Sequence, residues 1–179
     1  MYKRQLRDNA GDNSSISNGG AITFAKTVFG KTDETLVLDA HSSGTGTISL
    51  AQVGAGTTPQ IAGLTATAAG GITLNGNINT SDAGTGITFN DNVIIADDTS
   101  ITITTNSGGT DGGVTFNASI SGVGGTDATL ATNENLTIDS GSGELTITGN
   151  IGATVATALN DLKINAEDGS GETAAITIS

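Results

Sequence analysis

The sequence predicts an all-β chain folded as a parallel β-solenoid. Three observations carry the prediction: a short motif that recurs along the chain, a two-residue alternation of apolar side chains within each copy, and Gly, Asn, Ser and Asp between copies. The motif reads glycine, apolar, Thr or Ser, apolar, then a polar break and a further apolar residue. It stands as Gly71-Ile72-Thr73-Leu74-Asn75-Gly76-Asn77-Ile78, Gly86-Ile87-Thr88-Phe89-Asn90-Asp91-Asn92-Val93 and Gly113-Val114-Thr115-Phe116-Asn117-Ala118-Ser119-Ile120. Looser copies are Ile22-Thr23-Phe24, Ile48-Ser49-Leu50 and Leu145-Thr146-Ile147. A second unit alternates with the first, at Leu36 to Ala40, Ile101 to Thr104, Leu136 to Ser140 and Leu162 to Ala166.

Alternate residues of a strand point to opposite faces, so in each unit the apolar pair turns inward and the Thr between them turns outward. Helix is disfavoured, because no window holds a firm i, i+3, i+4, i+7 apolar stripe and each glycine costs a helix about 1 kcal/mol. Short strands between such turns could build a sandwich or a solenoid. Repetition of one motif with the same Gly and Asn at its ends favours the solenoid, in which equivalent residues lie over one another about 4.8 Å apart.

Along the chain, Met1 to Gln5 resembles a non-native scar, since it fits no later pattern and carries Lys3 and Arg4 in an acidic sequence. Residues 6–19 lack periodicity and read as a lead-in of uncertain order. Residues 20–179 carry the repeats. With about 25 to 30 residues per coil they make roughly six coils, a stack about 30 Å long. Phe24, Leu50, Leu74, Phe89, Phe116 and Ile147 are the expected inner stack. Asn75, Asn90 and Asn117 follow inward residues and are placed to form an amide ladder from coil to coil. Pro59 falls in a loop, where it removes no ladder hydrogen bond. Val53-Gly54 and Leu64 echo Ile151-Gly152 and Leu162 at an offset of 98 residues, and Ile48 echoes Leu145 at 97, which suggests duplication of several coils. The chain stops at Ala175-Ile176-Thr177-Ile178-Ser179, in mid-strand by its alternation, and is expected to be an internal piece of a longer protein.

Composition narrows the function. The chain has 179 residues, 27 glycines, one proline, no cysteine, one histidine and a net charge of -12. Disulfide staples and cysteine zinc sites are absent. Six scattered Lys and Arg argue against direct nucleic-acid binding and against anionic membrane surfaces. No apolar run is long enough to span a bilayer, and no signal peptide is visible.

Candidate chemistry is sparse, and the sequence predicts no catalytic, cofactor or metal residues. His41, between Ala40 and Ser42, reads as a solvated turn residue rather than a member of a catalytic triad. A sugar-cleaving groove would need gathered carboxylates and binding side chains. Here tryptophan is missing, the one tyrosine is Tyr2, and Lys26, Lys31 and Lys163 are scattered. The run from Gly108 to Gly113 superficially resembles a calcium-binding nonapeptide, yet Gly113 stands where an apolar residue is needed and no tandem copy follows. Asp97-Asp98 reads as a solvated acidic corner. Thr65-Ala66-Thr67, Thr102-Ile103-Thr104 and Thr146-Ile147-Thr148 have the form of an ice-binding array, but their unequal intervals favour ordinary outward strand threonine.

The units Gly86 to Val93 and Ser100 to Gly109, with the phrase from Ile151 to Ala166, resemble the passenger repeats of filamentous-haemagglutinin-type adhesins and autotransporters. The resemblance covers about residues 20 to 179 and describes architecture more than activity. It implies a right-handed parallel β-helix, displayed outside a Gram-negative-type bacterial cell within a large surface protein. No catalytic residue comes with it. The expected function is a non-catalytic stalk or passenger segment, binding no cofactor. Its partners would be a host or neighbouring cell surface or matrix, engaged through the full-length protein, with end-to-end or edge association through terminal coils. The alternatives are a calcium-binding surface module and a fragment of a polysaccharide lyase or hydrolase.

Overall fold

The structure is a computed structural model that describes residues 20–30, 34–40, 44–54, 61–81, 85–105, 111–123, 133–153, 158–167 and 175–179, and the backbone of 3–7. In chain order its strands are β1 (Lys3–Arg7), β2 (Ala21–Phe24), β3 (Thr35–Asp39), β4 (Thr47–Leu50), β5 (Gly63–Thr67), β6 (Ile72–Leu74), β7 (Ile78–Asn79) and β8 (Gly86–Phe89). They continue with β9 (Val93–Ile95), β10 (Ser100–Thr104), β11 (Val114–Phe116), β12 (Ile120–Gly122), β13 (Asn135–Asp139), β14 (Leu145–Ile147), β15 (Asp161–Asn165) and β16 (Ile176–Ile178). No helix occurs among the described residues.

Every pairing between strands is parallel, and the strands fall into three sheets. The first runs β1-β3-β5-β8-β11-β14-β16, the second β12-β9-β6-β4-β2 and the third β15-β13-β10-β7. The chain visits first, second and third sheet in turn, and a full circuit adds one rung to each wall. That is a β-solenoid, and the part in which all three walls receive a rung makes about four turns. Earlier circuits reach the third wall through single bridges, Val28 to Val53 and Val53 to Ile78. Lys3–Arg7, set apart in the sequence, runs as a rung beside Thr35–Asp39.

Register stacks the inward residues into columns. On the first sheet, Leu38, Ala66, Phe89, Phe116, Ile147 and Ile178 form one column, and Leu36, Leu64, Ile87, Val114, Leu145 and Ile176 another. The second sheet contributes Phe24, Leu50, Leu74 and Ile95. The third contributes Ile78, Ile103, Ile138 and Ile164. The expected single inner stack is thus two. Phe24, Leu50 and Leu74 lie on one wall, and Phe89, Phe116 and Ile147 on another, because the same motif is laid on different sheets. The rings of Phe89 and Phe116 are stacked at 5.1 Å and 24°, which adds about 0.5–1.5 kcal/mol beyond the burial itself.

The same reuse explains the offset of 98 residues. Ile48 lies on the second sheet and Leu145 on the first, while Leu64 lies on the first and Leu162 on the third. A duplication of whole coils would return each residue to its own wall. Each echo instead lands one wall earlier, so what repeats is a strand-and-corner unit. The corner itself is kept: Gly54 after Val53 and Gly152 after Ile151 both take left-handed φ, 68° and 61°, a region open to glycine at little cost.

Candidate functional surface

The outer face of the first sheet is the most regular surface among the described residues. Thr65 pairs with Thr88, Thr88 with Thr115, Thr115 with Thr146 and Thr146 with Thr177, giving five threonines in one column. Their sequence intervals are 23, 27, 31 and 31 residues. Unequal spacing in the sequence therefore does not prevent strict register, because the corners between walls absorb the difference in length. That removes the ground on which a lattice-like array was set aside. Of the three Thr-X-Thr triads, Thr65 to Thr67 and Thr146 to Thr148 share this face, whereas Thr102 to Thr104 lies on the third sheet.

Beside the threonine column runs a second rank. Asn117 Nδ2 donates to Asn90 Oδ1 at 2.9 Å, and Asn90 Nδ2 donates to Thr67 Oγ1 at 2.8 Å. Two of the three asparagines expected to form a ladder do so. Asn75 stands on the second sheet, where its Nδ2 donates to Ser49 Oγ at 3.0 Å. On the other side of the threonines lies a rank without side chains. Gly63 pairs with Gly86, and a Cβ on Gly86 would run into the carbonyl oxygen of Gly113. The strands β5, β8 and β11 carry no ionisable residue.

The other walls differ. On the second sheet the outward column reads Thr23, Ser49, Thr73, Ile94, Ser121. On the third, Thr102 and Thr137 are followed by Lys163, and Asn135 by Asp161. β-propensity alone favours threonine equally on all three walls, so the unbroken column is a property of one face.

The acidic residues are spread over corners and strand ends, where several bond a neighbouring turn. Asp91 Oδ2 accepts from Ala68 N at 2.7 Å, and Asp139 Oδ1 from Asn165 Nδ2 at 3.1 Å. In the calcium-like run, Gly108 to Thr110 lie outside the described residues. Its aspartate, Asp111, accepts from Ser142 N at 2.7 Å and Ser142 Oγ at 3.0 Å. Asp98, at φ 53°, accepts from Asn133 Nδ2 at 2.9 Å. No group of three or more His, Cys, Asp or Glu able to hold a metal occurs among the described residues. His41, Lys31 and Pro59 lie outside them. Lys163 and Lys26 are exposed on separate parts of the tube.

One buried acid escaped the sequence reading. Glu134 is only 1% exposed, and its Oε2 has no hydrogen-bond partner. Gly122 leaves a gap in the inward column below Ile95, and Glu134 Oε2 lies 3.2 Å from where a Cβ on Gly122 would stand. The carboxylate fills space that an aliphatic side chain fills in earlier turns. The signal in the sequence was glycine at an inward position, Ile120-Ser121-Gly122, where other copies hold Leu, Ile or Phe.

A cavity of about 90 Å³ lies among Phe24, Val28, Leu36, Ile61 and Glu34, with Phe29 beside it. Its lining is mostly apolar and offers no convergent set of polar groups. No helix among the described residues is long and apolar enough to cross a membrane. No family model matches the sequence, and neither the curated proteins nor the solved structures contain a detectable relative.

Proposed function

We propose that the chain is a non-catalytic structural segment, a stiff stalk or passenger rod within a secreted or surface-displayed bacterial adhesin of Gram-negative type. Repetition carries the reading: turn after turn, the inward register positions of each wall receive apolar residues, with Gly122 the exception. Such an arrangement builds length, because stability comes from nearest-neighbour stacking and each turn rests on the one before it. The resemblance of the repeats to haemagglutinin-type passengers supports the surface location. Contact with a host cell, a neighbouring cell or matrix would then lie with the full-length protein, and its terminal coils would serve end-to-end or edge association.

The test is physical. A rod gives a strand-rich circular dichroism spectrum in metal-free buffer and an elongated profile in solution scattering; a disordered spectrum would sink the reading. Addition of millimolar calcium should leave the melting temperature unchanged, since the corner carboxylates already accept donors from the chain. Incubation with acidic polysaccharides should leave polymer mass unchanged. A specific rise in melting temperature would favour a calcium module, and a loss of mass a lyase or hydrolase.

A further inference from the structure

We propose that the outer face of the first sheet binds ordered water, with the surface of an ice crystal as its partner. The face is a two-dimensional array. Successive threonines, Thr65, Thr88, Thr115, Thr146 and Thr177, are one strand apart, about 4.8 Å. The second rank, Thr67, Asn90, Asn117 and Thr148, lies two residues further along each strand, about 6.6 Å away. A grid of those dimensions approximates the oxygen spacings on prism planes of ice, so hydroxyl and methyl groups can hold a sheet of water in a crystal-like arrangement.

Two features prepare the grid before any ligand arrives. Threonine is branched at Cβ and has few χ1 states, so little side-chain freedom is lost on binding. The amides of Asn90 and Asn117 are already fixed by bonds running down the tube, from Asn117 to Asn90 and from Asn90 to Thr67.

Charge selects the partner. The chain carries a net charge of -12, yet β5, β8 and β11 have no ionisable residue, and the acids of this wall stand at the borders of the array, Asp39 beside Thr67, Asp91 after Asn90 and Glu144 before Leu145. A polyanion or a lipid headgroup finds no counter-charge there. A neutral lattice of hydroxyl groups does find a match, and water is the smallest such lattice. The third sheet provides an internal control, because its threonine column holds only Thr102 and Thr137 and then ends in the cation Lys163.

The experiment uses the whole chain, with ice recrystallisation and crystal shape as readouts. The unaltered chain should inhibit recrystallisation at micromolar concentration and facet growing crystals. The double variant Thr88→Lys/Thr115→Lys should lose at least tenfold in potency. Thr102→Lys/Thr137→Lys, on the third sheet, should retain it. Thr88→Gln, a milder change that keeps a neutral polar side chain but breaks the spacing, should fall between, and circular dichroism must show all of them folded. A folded unaltered chain without effect on ice would overturn the proposal. So would equal losses from the two double variants. Binding to crystalline chitin or cellulose that depends on Thr88 and Thr115, or a dimer abolished by the same changes, would also overturn it and identify the face as a site for that other partner.

Discussion

Phe89 and Ile178 occupy the same column of the first sheet, yet one is fully buried and the other 56% exposed. The motif around them is the same, an apolar pair with Thr between. What differs is the neighbours: β8 has a strand on each side, β5 and β11, whereas β16 has only β14 among the described residues. β15 shows the intermediate case, with Leu162 and Ile164 half-buried. An apolar residue in this fold is buried chiefly by the turns before and after it, and the energetics follow position in the stack more than local sequence.

The sharpest way to break that comparison is truncation at both places. Phe89→Ala removes a ring stacked on Phe116 and leaves a cavity between two covered turns, at an expected cost of about 3–5 kcal/mol. Ile178→Ala, in the same column, should cost less than about 1 kcal/mol because much of the side chain already meets solvent. Urea titration of the two variants measures both. Equal losses would mean that burial in the middle turns contributes no more than at the exposed rung.

A smaller effect is expected from Gly86→Ala. Gly86 has φ 70°, and a Cβ there would meet the carbonyl oxygen of Gly113 in the next turn. The left-handed backbone strain and the crowding together should cost about 1–3 kcal/mol, read as a lower urea midpoint. A neutral result would show that the turns can separate enough to admit a methyl group. Smaller again, and opposite in sign, is Glu134→Leu. Replacing a buried carboxylate whose Oε2 has no partner by an aliphatic side chain in the same space beside Gly122 should stabilise the chain by about 1–2 kcal/mol. A loss of stability on thermal melting would mean that the acid is held by something beyond the described contacts.

The wall-building logic was legible in the sequence, and its assignment to walls was not. Alternation in Ile72-Thr73-Leu74 and Gly86-Ile87-Thr88-Phe89 fixes strand, inward side and outward side, and all of these hold in the structure. Periodicity within a strand says nothing about which of three walls the strand joins. That depends on how much chain each corner consumes. For this reason the alternation alone puts Phe24 and Phe89 in one stack and groups Asn75 with Asn90. The threonine face was missed for the same cause: intervals of 23 to 31 residues look irregular until the register aligns them. Glu134 is hidden in the sequence because the glycine that makes room for it, Gly122, lies 12 residues earlier at the end of the preceding strand.

The asparagine ladder provides the finest test of coupling between turns. Asn117 donates to Asn90, and Asn90 donates onward to Thr67, so the two bonds share one residue. Both amides are exposed, and each bond should contribute about 0.5–1 kcal/mol. Asn117→Ala removes one bond and Asn90→Ala removes both, so the second should cost about twice the first. In the double variant the Asn117 bond has already lost its acceptor. Its removal should then add almost nothing, leaving a coupling energy of about 0.5–1 kcal/mol in a double-mutant cycle. Strict additivity would mean that solvent satisfies the amides as well as the neighbouring turn does. The ladder would then be a consequence of stacking rather than a contributor to it, and stiffness along the tube would rest on the apolar columns and the backbone hydrogen bonds between turns.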